Sequence, residues 1–228
     1  AMAFNRYADR ESDSRNPRTS TSREIPNGKI NAKSALIFVI INCLLFIGST
    51  YLINTTCFLL SPLALLIILG YSFTKRFTMF CHLILGLGLS LAPIGSYIAV
   101  TNSSDLIPIL FSLTVIFWVS GYDIIYSLQD EDFDKTERLK SIPVKFGAKV
   151  SLIISKIFHL ISISVLFYIG ILESYNLYYW IGFSIFSLLI VYQQNLVKHN
   201  DLSRVNLAFF TTNGIASIVF GIFVIIEL

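Results

Sequence analysis

The sequence predicts an all-α protein that crosses a membrane several times as a helix bundle, and three observations carry that prediction. Of the 228 residues, 54% are hydrophobic and only 14% are Asp, Glu, Lys or Arg, too few charges to clothe a soluble domain of this size. Runs such as "SALIFVIINCLLFIGS" approach the roughly 20 residues a helix needs to cross a bilayer. Lipid obliges backbone groups to bond inside their own segment or in a closed barrel, and these unbroken runs lack the short alternating strands of a barrel.

Seven spans are expected, at about 34–53, 57–74, 79–100, 105–129, 148–172, 176–197 and 205–226. The basic residues order them. Segment 1–33 holds Arg6, Arg10, Arg15, Arg18, Arg23, Lys29 and Lys33, and Lys75 and Arg76 follow the second span. Loop 130–149 holds Lys135, Arg138, Lys140, Lys145 and Lys149, and Lys198 and Arg204 flank the last connection. Lys156 lies within two turns of its helix end, within snorkelling reach. The opposite loops, near 54–56, 101–105 and 173–175, carry Asp105 and Glu173 but no Lys or Arg. This asymmetry puts the basic side in the cytoplasm. The net charge of +3 is thus a topology signal, and no nucleic-acid partner is expected.

Within the spans, Cys43, Cys57 and Cys81 show no metal-ligand spacing and read as small apolar side chains. Gly86 and Gly88 suggest close helix packing, and Pro93 a kink. His82 and His159 are expected to satisfy local hydrogen bonds, and Asn213 to face a cavity or a neighbouring helix.

Two polar stretches break the apolar pattern. "NRYADRESD" places Asn5, Asp9 and Asp13 at four-residue intervals, and "DIIYSLQDEDFD" places Tyr126, Asp130 and Asp134 likewise, with Asp123 a turn earlier. Such spacing forms a slanting row on one helix face. Both rows lie where a span leaves the bilayer on the basic side, close to a helix C-terminus that disfavours negative charge. A divalent cation is the natural offset. A calcium loop fails, because its glycine is replaced by Ser14 and Lys135 and its closing glutamate by Ser20 and Ser141. Hard oxygen ligands supplied one or two at a time suit Mg2+ bridged to phosphate, and the interleaved Lys and Arg suit a diphosphate. A substrate with a lipid-soluble tail and such a head is a polyprenyl diphosphate.

At these residues the chain resembles the UbiA superfamily of intramembrane prenyltransferases, most closely its 4-hydroxybenzoate polyprenyltransferase branch. "NRYADRESD" is similar to the family's NDxxDxxxD, with Arg6 where an aspartate is usual, and "DIIYSLQDEDFD" to DxxYxxxDxxxD. "NPRTSTSREIPNG", "YSFTKRFT", "KTERLKSIPVKFG" and "FFTTNG" extend the likeness along the whole chain. The resemblance implies a helix bundle around a central cavity and Mg2+-dependent transfer of a polyprenyl chain to an aromatic acceptor such as 4-hydroxybenzoate. That step would serve quinone (ubiquinone/menaquinone-type) biosynthesis, with the enzyme in the bacterial inner membrane and its lipid bilayer. It implies that Asn5, Asp9 and Asp13 hold one Mg2+ and Asp130 and Asp134 another. Arg10, Lys75 and Lys140 would bind diphosphate, and Asp123 and Tyr126 would act on the cation or the acceptor.

Family members have nine spans, with the first acidic motif after the second. Residues 1–228 therefore read as one transmembrane domain lacking the front helical pair, with the acidic motifs in 1–33 and 130–149. "AMAF" has the character of a helix end, and four apolar residues do not nucleate a helix alone, so the first acidic row is expected to be loosely held. Two rival readings are a non-catalytic membrane remnant and a transporter with acidic ion sites. Transporter sites belong near the bilayer midplane, whereas these acids sit at the rim. The topology predicts that single cysteines at Ser141 and Ser103, in a background lacking the native three, label from opposite sides of intact cells. Labelling of both from outside by an impermeant thiol reagent would contradict it.

Overall fold

The computed structural model describes residues 1–227. Two short helices, α1 (Met2–Ala8) and α2 (Arg10–Arg15), precede α3 (Ala32–Ile53), α4 (Thr55–Thr74), α5 (Cys81–Thr101) and α6 (Leu106–Ser127). A single 3₁₀ turn, Leu128–Asp130, joins α6 to α7 (Glu131–Thr136). Then come α8 (Ile142–Leu172), α9 (Leu177–Leu196), a π-helical turn at Leu207–Thr212 and α10 (Asn213–Glu227). Among the described residues there is no strand, only an isolated bridge between Lys198 and Asp201.

The helices begin where side chains satisfy orphaned amides. Asn31 caps α3 through the Lys33 amide at 2.8 Å, and Asn54 caps α4 through that of Cys57 at 2.8 Å. Asp105 caps α6 through the Leu106 amide at 2.5 Å, and Ser141 caps α8 ahead of Pro143. Asn54 also donates from its side-chain amide to Ile98 O at 2.9 Å, tying the α3–α4 turn to the end of α5.

All seven expected spans are helices. Six are long and apolar enough to cross a membrane; α9 has the length, but Tyr178, Tyr179, Trp180, Gln193 and Gln194 dilute its hydropathy. The fifth span proper starts at 148 as expected, but a short helix from Ile142 leads into it. Gly147 stands at φ 74°, ψ 168°, so a short helix from Ile142 turns there into the span proper, a conformation that favours glycine. The front end also departs from expectation. Met2–Ala8 is helical because it docks on α3 and α4, with Phe4 edge-on to Phe73 at 5.7 Å. Packing supplies what propensity lacks.

Each long helix packs on the next in chain order, and the π-helical turn packs on α6. The tightest approach is at Gly86, where a Cβ would sit 2.5 Å from Ile116 O, so α5 and α6 touch backbone to backbone. Gly88, by contrast, has open space and lines a cavity. Interhelical polar contacts are local: Ser112 to Ser90 O at 2.8 Å, Ser155 to Gly121 O at 2.7 Å, and His159 between Trp118 O and Gln194. Small residues and single hydroxyls are what hold helices together where lipid removes the hydrophobic drive. Ile37, Phe38, Leu44 and Leu45 face outward from α3, as lipid-facing residues should.

Between α3, α4, α5, α6 and the start of α10 lies a cavity of about 970 Å³. Its wall is almost wholly apolar, and its aromatic members are Phe46, Trp118, Tyr122, Phe209 and Phe210.

Candidate active site at the rim of the cavity

Two acidic rows meet at one end of the bundle because the segment after α2 folds back across the end of α6. Backbone bonds run on through Asp9, from its amide to Asn5 O at 2.9 Å and from the Asp13 amide to Asp9 O at 2.7 Å. Asn5, Asp9 and Asp13 therefore share a face, as their spacing predicts, and Asn5 donates to Asp9 Oδ2 at 2.9 Å. On the other row, Asp123, Tyr126, Asp130 and Asp134 follow one another along α6, the 3₁₀ turn and α7.

Each of Asp9, Asp13, Asp130 and Asp134 is met by a cation of the chain. Arg18 grips Asp130 with both arms of its guanidinium, Nε to Oδ1 at 2.9 Å and Nη2 to Oδ2. Asn16 adds a bond to the same Oδ1 at 3.0 Å. Arg23 pairs with Asp13, Lys75 donates to Asp134 at 3.0 Å, and Arg76 stands 3.8 Å from Asp9. Arg18 also donates to the Tyr126 hydroxyl at 3.0 Å and lies over its ring. Arg6, which replaces a carboxylate of the family pattern, sits in the fields of Arg23 and Asp13. Four carboxylates thus share the rim with Arg6, Arg18, Arg23, Lys75 and Arg76, an excess of positive charge that favours a multiply charged anion.

The electrostatics follow from this crowding. Burial and the neighbouring Asp13 raise the Asp9 carboxyl above its usual range against the pull of Lys75, Arg23 and Arg76. Burial works against the charges of Arg18 and Lys75, but Asp130 and Asp134 outweigh it and hold both above their ordinary values. Burial and Arg23 lower Arg6.

The expected residues do not all converge. Lys75 reaches the acids. Arg10 turns away, stacking on Tyr7 at 4.6 Å and lining a separate surface pocket of about 500 Å³ with Arg15, Arg76 and Glu137. Lys140 donates to Phe77 O at 3.2 Å. Asp123 pairs with His82 across the α5–α6 contact, Nδ1 to Oδ2 at 2.6 Å. Tyr126 joins rim to cavity, because its ring stacks on Phe209 at 4.2 Å and Phe209 lines the cavity. Asn213 lines it too, accepting from Trp118 at 3.1 Å.

Can these residues hold a divalent metal? Among the described residues no three carboxylate, His or Cys side chains converge closely enough to do so alone. The donors are nevertheless hard oxygens, and the buried Asp13 Oδ2 has no hydrogen-bond partner. Such a set fits Mg2+ that completes its shell with water and phosphate oxygens.

The Arg18–Asp130 clamp makes a direct prediction. Arg18→Met leaves a half-buried carboxylate without its main partner and is expected to remove about 1–3 kcal/mol of stability from the metal-free protein. Adding Asp130→Leu should restore much of it, since an apolar pair has no unpaired charge. Thermal unfolding of the three detergent-solubilised variants measures both effects.

Comparison with known proteins agrees with this geometry. Residues 1–215 match the UbiA prenyltransferase family. A 4-hydroxybenzoate octaprenyltransferase of Francisella tularensis subsp. mediasiatica is 32% identical over 222 residues, covering 97% of this chain and 78% of that protein. The apo structure of a UbiA homologue from Aeropyrum pernix K1 superposes with a TM-score of 0.90 at 31% identity, covering 99% of this chain and 83% of that one. A UbiA homologue from Archaeoglobus fulgidus bound to GPP and Mg2+ shares the fold, with a TM-score of 0.67 at 19% identity over 99% of this chain and 82% of that one. The chain belongs to the UbiA prenyltransferase family.

Proposed function

We propose that this chain transfers a polyprenyl group from polyprenyl diphosphate to an aromatic acceptor such as 4-hydroxybenzoate, with Mg2+, as a step of quinone (ubiquinone/menaquinone-type) biosynthesis. The observation that carries the reading is the joining of a charged rim to an apolar cavity of about 970 Å³ through Tyr126 and Phe209. A substrate with an anionic head and a hydrocarbon tail fits that division. The names of similar proteins support the same substrates: 4-hydroxybenzoate for the curated relative, GPP with Mg2+ for the archaeal homologue. The bacterial source of that relative and the Lys and Arg distribution favour the inner membrane with the acidic motifs facing the cytoplasm.

Asn5, Asp9 and Asp13 would hold one Mg2+, and Asp130 and Asp134 the other. Bound Mg2+ supplies Lewis-acid stabilisation of the charge that develops on the departing diphosphate. The chain's own cations share that work. Lys75, Arg18 and Arg23 lie on the carboxylates and need only small movements to place N–H donors on the diphosphate oxygens, where developing charge makes them most effective. As the allylic C–O bond lengthens, carbon at the mouth of the cavity gains positive charge. The Tyr126 and Phe209 rings present negative faces to it, and the apolar wall keeps water from it. The aromatic acceptor then attacks. Arg10 and Lys140, turned away in this conformation, are assigned to the diphosphate only if the rim rearranges.

Asp130→Asn combined with Asp134→Asn keeps volume and removes charge. It is expected to lower Mg2+-dependent release of diphosphate, measured with prenyl diphosphate and 4-hydroxybenzoate, by at least about 10²-fold. Near-normal turnover would overturn the assignment. Diphosphate-independent uptake of solute into proteoliposomes would favour a transporter instead.

A further inference from the structure

Aromatic prenylation has a last step for which the rim residues leave one candidate. When the new C–C bond forms, the ring becomes a cation and must lose the proton from the carbon attacked. The ring C–H bond breaks, its electron pair returns to the ring, and a base takes the proton. Asp9, Asp13, Asp130 and Asp134 are already assigned to Mg2+ in the reading above, and each also meets Arg or Lys, so none is left over to take the proton. Asp123 is different. It lies on α6 one turn before Tyr126 and two turns before Asp130, beside Tyr122, which lines the cavity, and among the described residues it makes no ion pair with Lys or Arg.

Its only bond is to His82, through Oδ2. Oδ1 accepts no hydrogen bond from the described residues, and the side chain keeps 19% of its surface open. His82 is fully buried at 0% exposure, and its Nε2 has no partner. A carboxylate and an imidazole set into a helix contact are costly compared with apolar residues of the same volume. A pair kept only for packing would be expected to satisfy all of its polar atoms. This one leaves an imidazole nitrogen bare and spends a single carboxylate oxygen, leaving the other free.

We propose that Asp123 is the proton acceptor for the ring that has been alkylated, and that His82 positions it by donating from Nδ1 to Oδ2 so that Oδ1 faces the acceptor. The proton goes to Oδ1 and passes to solvent at the rim when the products leave. His82 fixes the carboxylate rotamer and takes no part in bond breaking. The inference rests on the aromatic-acceptor reading above.

The test uses the full chain in lipid nanodiscs, with prenyl diphosphate and either ordinary or ring-deuterated 4-hydroxybenzoate, following diphosphate, prenyl alcohol and prenylated product separately. In the unaltered chain, deprotonation follows the slow ionisation, so both acceptors give the same rate. Asp123→Asn is expected to lower product formation about 10²-fold or more, to bring out a primary isotope effect, and to raise the share of prenyl alcohol formed by water. His82→Gln, whose amide can still donate to Oδ2, keeps most of the product, while His82→Leu shows the isotope effect in weaker form. Equal loss of diphosphate release and product in Asp123→Asn, without an isotope effect, would overturn the proposal. So would His82→Leu behaving as His82→Gln does. If the unaltered chain releases no diphosphate, the functional reading itself falls, and the proposal with it; if it turns over while Asp123→Asn matches it, only the proton acceptor is wrong.

Discussion

Everything at the charged end of this molecule depends on the grip of Arg18 on Asp130. That contact joins residues 112 positions apart, and it turns a polar segment into the lid of a helix bundle. The more exposed Arg15–Glu137 pair supports the same fold-back from its start. With the Arg18 grip in place, Asn16 reaches Asp130, Arg23 reaches Asp13, and the two acidic rows face each other. Half-buried carboxylates are tolerable only when paired, since an isolated charge at a low-dielectric boundary is far more costly than the paired one. The chain thus carries its own counter-ions to the acidic rows.

The same pairing sets up the chemistry. On the proposed reading, cations that balance carboxylates in the resting chain would also meet the diphosphate, and a donor already oriented needs little reorganisation when charge develops. Tyr126 marks the border. Its hydroxyl belongs to the ionic network through Arg18, while its ring stacks on Phe209 at the wall of the apolar cavity. Charged rim and apolar cavity are thus joined by one side chain.

The helices were legible wherever the signal was a long apolar run, which is why α3 to α6 and α9 fall within a few residues of expectation and the last expected span matches α10 with the π-helical turn before it. The short helix from Ile142 that precedes the fifth span was not foreseen, because Gly147 breaks it from the span by a backbone turn that hydropathy does not record. What holds the short α1 could not be read, since it is stable by docking on α3 and α4. In the site, the four-residue spacing of Asn5, Asp9 and Asp13 foretold their shared face, because a helix fixes that geometry locally. Partners could not be assigned in the same way. Arg10 lies next to the first acidic row in sequence yet stacks on Tyr7, whereas Arg18 and Arg23 reach the acids through a fold-back that spacing does not encode. His82 with Asp123 was hidden for the same reason, although two ionisable residues in neighbouring apolar spans are a signal that they meet.

The central claim is an exchange of partners, in which the acids release the chain's own cations to a metal-bridged diphosphate. The most direct measurement is thermal unfolding of the intact protein with Mg2+, with an unreactive prenyl diphosphate analogue, and with both. No carboxylate cage exists for the metal alone, so Mg2+ by itself should barely move the midpoint, and the analogue with chelator should move it little. Together they should raise it by several degrees, as binding to the folded state requires. Full stabilisation by either component alone would contradict the account.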